Sequence, residues 1–175
     1  MPAAIPVRYG IGPDPSVHGQ THAWAVRARY YPGSGKTYAF VGDLLGKLLV
    51  YDLTMTLQSP ATPINGPYLP SNPLLTPVAV LPFPVDASDG FNVNCTDVEL
   101  DESANWAYCA LCRGGVAIVN IMDPVNPLIQ AIIDTPGIAA GLALRKNQNG
   151  VEQLLVGDGV GGMRLYGRTG TGIIP

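Results

Sequence analysis

The stretch Gly46-Lys-Leu-Leu-Val-Tyr-Asp52 is written again, in altered letters, at Gly114-Gly-Val-Ala-Ile-Val-Asn120 and at Gly161-Gly-Met-Arg-Leu-Tyr-Gly167, 68 and 115 residues further on. The third copy stays in step back to Val156-Gly-Asp158, which falls on Val41-Gly-Asp43. Similarity at this spacing means that one supersecondary unit is repeated, and a unit of that size cannot bury its apolar face alone. Farther along, Asn72-Pro-Leu-Leu with Pro82 matches Asn126-Pro-Leu-Ile with Pro136 at a spacing of 54. The difference between 68 and 54 gives the first copy an insertion of 14 residues, within its Pro-rich stretch between Leu53 and Ser71.

Each copy reads as strands. Trp106-Ala-Tyr-Cys-Ala-Leu111 and Val116-Ala-Ile-Val-Asn-Ile121 are short, rich in aromatic and β-branched residues, and joined by the Gly-containing turn Arg113-Gly-Gly115. Strands precede this hairpin near residues 23–28, 96–100 and 141–144, and others follow it near 78–81 and 129–133. The 21 glycines and 17 prolines suit many short strands and leave no 3.6-residue apolar period, so helical solenoids are excluded. Four antiparallel strands per unit, repeated, are the blades of a β-propeller.

The fold expected is therefore all-β: about three four-stranded blades in an incomplete ring. Residues 1–21 form an N-terminal extended segment, 22–85 blade one with its Pro-rich insertion at 55–70, 86–135 blade two, and 136–175 a third blade lacking its last strand. Propellers close with about four to eight blades. Fewer leave free edges and an uncovered apolar wall, so the chain is expected to belong to a longer propeller or to be completed by other copies or another chain.

Of the 175 residues, 47% are apolar and 13% charged, the balance of a chain that folds rather than a disordered one. The net charge is −3 with no basic block, so nucleic acid is not an expected partner. The most apolar stretch, Ala131 to Leu144, is broken by Asp134, Pro136 and two glycines, so no membrane span is expected, and the first residues do not read as a signal peptide.

The third strands, Leu48-Leu-Val-Tyr-Asp52, Val116-Ala-Ile-Val-Asn120 and Met163-Arg-Leu-Tyr-Gly167, together with Met122-Asp-Pro-Val-Asn-Pro127 and Asp134-Thr-Pro-Gly137, resemble the LVIVD repeat, a propeller-blade motif named for its third strand. The resemblance covers most of residues 22–168. It implies blade architecture and an exported or cell-surface location, and it assigns no activity. Gly167 departs from it by replacing the terminal acidic or amide residue.

Several motifs have plainer readings than chemistry. Gly33-Ser-Gly-Lys-Thr37 ends like a P-loop, but Tyr30 stands where the first glycine is needed and a strand follows, so it reads as a hairpin turn. Gly157-Asp-Gly-Val-Gly-Gly162 has dinucleotide spacing, again followed by a strand rather than a helix. His18 and His22 stand four apart on an extended segment, too far to share a metal. Cys109 and Cys112 point to opposite faces of a strand, leaving two readings: unbridged, mostly buried thiols, or a cross-strand disulfide between Cys95 and Cys112. Asp97, Glu99 and Asp101 alternate with apolar residues and read as a solvated face.

Candidate ligand-binding residues cluster at turns. The second-to-third strand turns and the connections between blades gather on one face of a propeller, and there lie Asp43, Asp86, Asp89, Asn92, Asn94, Arg113 and Asp158. Asp43 and Asp158 also read as carboxylates that hold turns. The loop Asp86 to Asn94 is rich enough in oxygen ligands for calcium, without EF-hand spacing, and no other cofactor, metal site or catalytic residue is expected. The function expected first is a non-catalytic binding or scaffold module that recognises a protein or surface component. An enzyme with an axial active site completed by absent blades is the second reading, and a structural subunit of an extracellular assembly the third.

Overall fold

The computed structural model describes residues 23–54, 76–84, 93–103, 105–169 and 172–174. The first sheet is β1 (Ala23–Tyr31), β2 (Lys36–Asp43), β3 (Lys47–Asp52) and β4 (Ala79–Pro82). The second is β5 (Asp97–Leu100), β6 (Trp106–Ala110), β7 (Val116–Asn120) and β8 (Leu128–Ile133). The third is β9 (Gly141–Lys146), β10 (Glu152–Gly157), β11 (Met163–Thr169) and β12 (Gly172–Ile174). In each sheet the strands lie side by side in chain order, and every pair is antiparallel. The repeat spacing of 68 carries β2 and β3 onto β6 and β7, and 115 carries them onto β10 and β11, within two residues.

Two details differ from the sequence reading. The third sheet, expected to lack its last strand, has one: the three residues of β12 pair with β11 from Gly167 to Thr169. In the fourth strands, Leu48 pairs with Leu81, whereas its counterpart Val116 pairs with Ile133, 52 residues beyond Leu81 rather than 54. A bulge between Ile118 and Val119 marks where β7 and β8 change step, which letter matching cannot register. The expected insertion at 55–70 and the segment 1–21 lie outside the described residues.

The first strands bring the sheets together, β5 lying between β1 and β9. Because side chains alternate along a strand, the second sheet buries one face against the first sheet and the other against the third. One core joins the first two sheets through Tyr38, Phe40, Leu48 and Val50 against Val98, Ala107, Cys109 and Val119. The second joins the next pair through Tyr108, Ala110, Val116 and Ile118 against Leu142, Leu154, Val156 and Tyr166. Each large side chain fully buried in this way contributes about 1.5–3 kcal/mol. The sheets form a fan.

Candidate functional site

The second-to-third strand turns and the connections between sheets meet on one side of the fan. Backbone bonds show this directly: Cys95 N–H, ahead of β5, donates to Asp43 O at 3.0 Å, and Cys112 and Ala139 exchange N–H···O bonds of 3.0 and 2.9 Å. Gly46 and Gly115 close two of these turns with φ of 75° and 73°. A Cβ at Gly46 would collide with Val93 O, and one at Gly115 with Ile133 O, so the neighbouring connection passes against bare backbone.

The acidic candidates on this side are inward-facing struts. Asp43 is fully buried and accepts the Leu45 N–H at 3.1 Å, the bond of an Asx turn. Asp158 is equally buried; its Oδ2 accepts from Gly137 N–H at 3.1 Å and from Arg164 Nε at 3.2 Å, tying the β10–β11 turn to the connection between the second and third sheets. Both carboxylates are turned away from solvent and hold turns. Asn94 is half-buried and Arg113 is exposed, so among the described candidates these two reach the surface. Asp86, Asp89 and Asn92, and with them most of the oxygen-rich loop, lie outside the described residues, as do His18 and His22.

The Cys95–Cys112 disulfide does not form; all three cysteines are free. The expected β5–β6 register is present, since Asp97 faces Ala110 and Val98 faces Cys109. The bridge fails because both ends have left the ladder: Cys95 bonds back to the first sheet, and Cys112, at φ 53°, bonds forward to Ala139. Cys95 instead lies beside Cys109 in the first core, and burial pushes the Cys109 thiol well up from its ordinary value. The two glycine-rich motifs are turns, each followed by a strand (Lys36–Asp43 and Met163–Thr169).

The acidic alternation on β5 is a junction rather than a solvated face. Glu99 takes a 2.6 Å ion pair from Arg27 on β1, which raises the guanidinium pKa, chiefly through that hydrogen bond. Asp97 lies 3.6 Å from the same guanidinium, and its Oδ2 accepts the Leu142 N–H of β9 at 2.8 Å. Asp97 therefore touches all three sheets. Asp101 is fully buried and accepts from Asn105 N–H at 3.0 Å, from Trp106 N–H at 3.1 Å and from the Ser103 hydroxyl. The signal was present in the sequence: Arg27-Ala-Arg29 and Asp97-Val-Glu99 sit on the first strands of successive repeats with opposite charge. Among the described residues no group of three or more His, Cys, Asp or Glu could hold a metal, and no helix is long and apolar enough to cross a membrane.

No family model matches the chain, and no curated protein does. A solved structure that is similar is the periplasmic gluconolactonase of Pseudomonas aeruginosa, at a TM-score of 0.50 and 18% identity over 97% of this chain. The chain spans 47% of that protein's length. Sheets stacked as a fan through their first strands, together with this likeness, make the described residues a row of β-propeller blades.

Proposed function

We propose that the chain is a non-catalytic recognition or scaffold module of the LVIVD-repeat kind, which meets a protein or surface component through the face that carries Asn94 and Arg113. One observation carries this reading: the described acidic residues at the turns and first strands are engaged in holding backbone and neighbouring sheets. Asp43 and Asp101 hold turns, Asp158 holds a turn to a connection, and Asp97 holds one sheet to the next. Carboxylates fixed in this way stiffen a frame, and a stiff frame that displays variable loops is suited to binding. An exported or surface location goes with the family reading.

The second reading is an enzyme completed by further blades. What favours it is the charged group Arg27, Asp97 and Glu99 on first strands, where blades converge, in a fold shared with a gluconolactonase.

One experiment separates them. A photo-crosslinking residue is placed at Arg113, on the proposed binding face, or at Val151, in the β9–β10 turn on the opposite side, and hydrolysis of gluconolactone is assayed in parallel. The module reading expects a cross-linked species of defined mass from Arg113 alone, and no turnover. Turnover that Glu99→Gln abolishes while the fold persists would replace it with the enzyme reading.

A further inference from the structure

We infer that the outer wall of the third sheet is a docking face for one more blade of the same repeat. The repeat spacing assigns each of its residues a counterpart. Leu155 stands where Phe40 and Tyr108 stand in the first two sheets, Met163 where Leu48 and Val116 stand, and Leu165 where Val50 and Ile118 stand. In the first two sheets these positions form the face that presses on the following sheet. Leu48, Val50 and Val116 are 0% exposed there and Ile118 is 7%, whereas Met163 is 73% exposed and Leu165 45%. One interface has thus been made twice with the same columns of residues and is open at its third occurrence.

The occupant follows from what the two existing interfaces receive. Onto the first sheet's face press Val98, Ala107, Cys109 and Val119; onto the second's, at the same places, Leu142, Leu154, Val156 and Tyr166. The partner is therefore a four-stranded antiparallel blade with small or aliphatic side chains at the first three of these positions, in its first and second strands. A second copy of this chain does not supply that face ready-made. The corresponding residues of its first sheet are Val26, Ala39, Val41 and Tyr51, and although Val26 is 50% exposed, the other three are already 5% exposed or less. A polar ligand is equally unsuited to a wall of Leu and Met.

The test extends the full chain past Pro175 with a second copy of residues 134–175 that carries Met163→Leu, so that only the original Met163 reports on the wall. Oxidation by dilute peroxide is followed by mass spectrometry at Met163, with Met122, 66% exposed at a distant turn, as the internal control. In the unextended chain both methionines react at similar rates at every protein concentration. In the extended chain Met163 reacts at least tenfold more slowly while Met122 is unchanged, and Leu165→Asp, at an exposed position, restores the Met163 rate. If Met163 stays as reactive as Met122 although far-UV dichroism shows the added strands formed, the proposal is wrong. Concentration-dependent protection of Met163 in the unextended chain, with doubled mass in solution, would also overturn it, because a second copy would then be the occupant.

Discussion

Cys112 holds a backbone conformation that costs a side-chain-bearing residue of the order of 1 kcal/mol, with φ of 53°, in the β6–β7 turn where it pairs with Ala139. Cys112→Gly relieves that strain and gives up a half-buried side chain, so denaturant unfolding should find it within about 1 kcal/mol of the parent. The same residue distinguishes the three thiols. With Cys95 and Cys109 buried, and Cys109 further held protonated by its surroundings, Ellman's reagent should titrate one thiol, Cys112, in the native protein and three in denaturant. Tyr31, half-buried at the end of β1, donates its hydroxyl to Ile121 O at 3.0 Å, and burial is the main cause that pushes its pKa up to about 12. A raised folded value favours the protonated form in the native state. Its contribution is complete below the unfolded value near pH 10 and fades as pH rises toward 12. Denaturant midpoints at pH 9 and pH 11 should therefore drop more for the parent than for Tyr31→Phe.

Between elements, close approach and shared hydrogen bonds set how one blade seats on the next. Gly42 in β2 faces the second sheet so closely that a Cβ would stand 2.8 Å from Cys95 Sγ and 2.9 Å from Cys95 O. Gly42→Ala should destabilise by about 2 kcal/mol, because overpacking at a backbone contact cannot be relieved by a rotamer change. Asp97 ties β5 to β9 through the Leu142 N–H. Asp97→Ala leaves that donor without its acceptor and should cost about 1–3 kcal/mol in urea unfolding, with Asp97→Asn in between because its carbonyl can still accept. The repeat spacing made β2, β3, β6, β7, β10 and β11 legible, since their letters recur in register. It left β12 unread: Gly172-Ile-Ile174 is too short to show alternation and is recognised as a strand only because Gly167 to Thr169 lies beside it.

Across the molecule, stability should fall from the first two sheets toward the outer edge of the third. The first two sheets are buried on both faces, and β2, β3, β6 and β7 hold residues at or near zero exposure along most of their length. Native-state hydrogen exchange should find their amides the slowest and those of β12, a three-residue edge strand, among the fastest. Equal exchange across all three sheets would mean that they unfold as one unit.

The order of strands, their pairing within each unit and the number of units were carried by the chain itself, because alternation and turn residues act over a few positions and a tandem repeat states the same pattern again. Even the β5–β6 register was readable, with Cys109 opposite Val98. Contacts between sheets depend on where loops send the backbone, and local pattern does not encode this. Cys95 turns back to the first sheet, Cys112 pairs with Ala139 in the connection to the third, and of the two readings of the thiols the unbridged one holds. For the same reason the acidic alternation at Asp97 and Glu99 looked like a wet surface until β1 and β9 were brought against it, supplying Arg27 and the Leu142 N–H. Repetition fixed the blades, whereas only their packing decided which charged groups became struts and which remained at the surface.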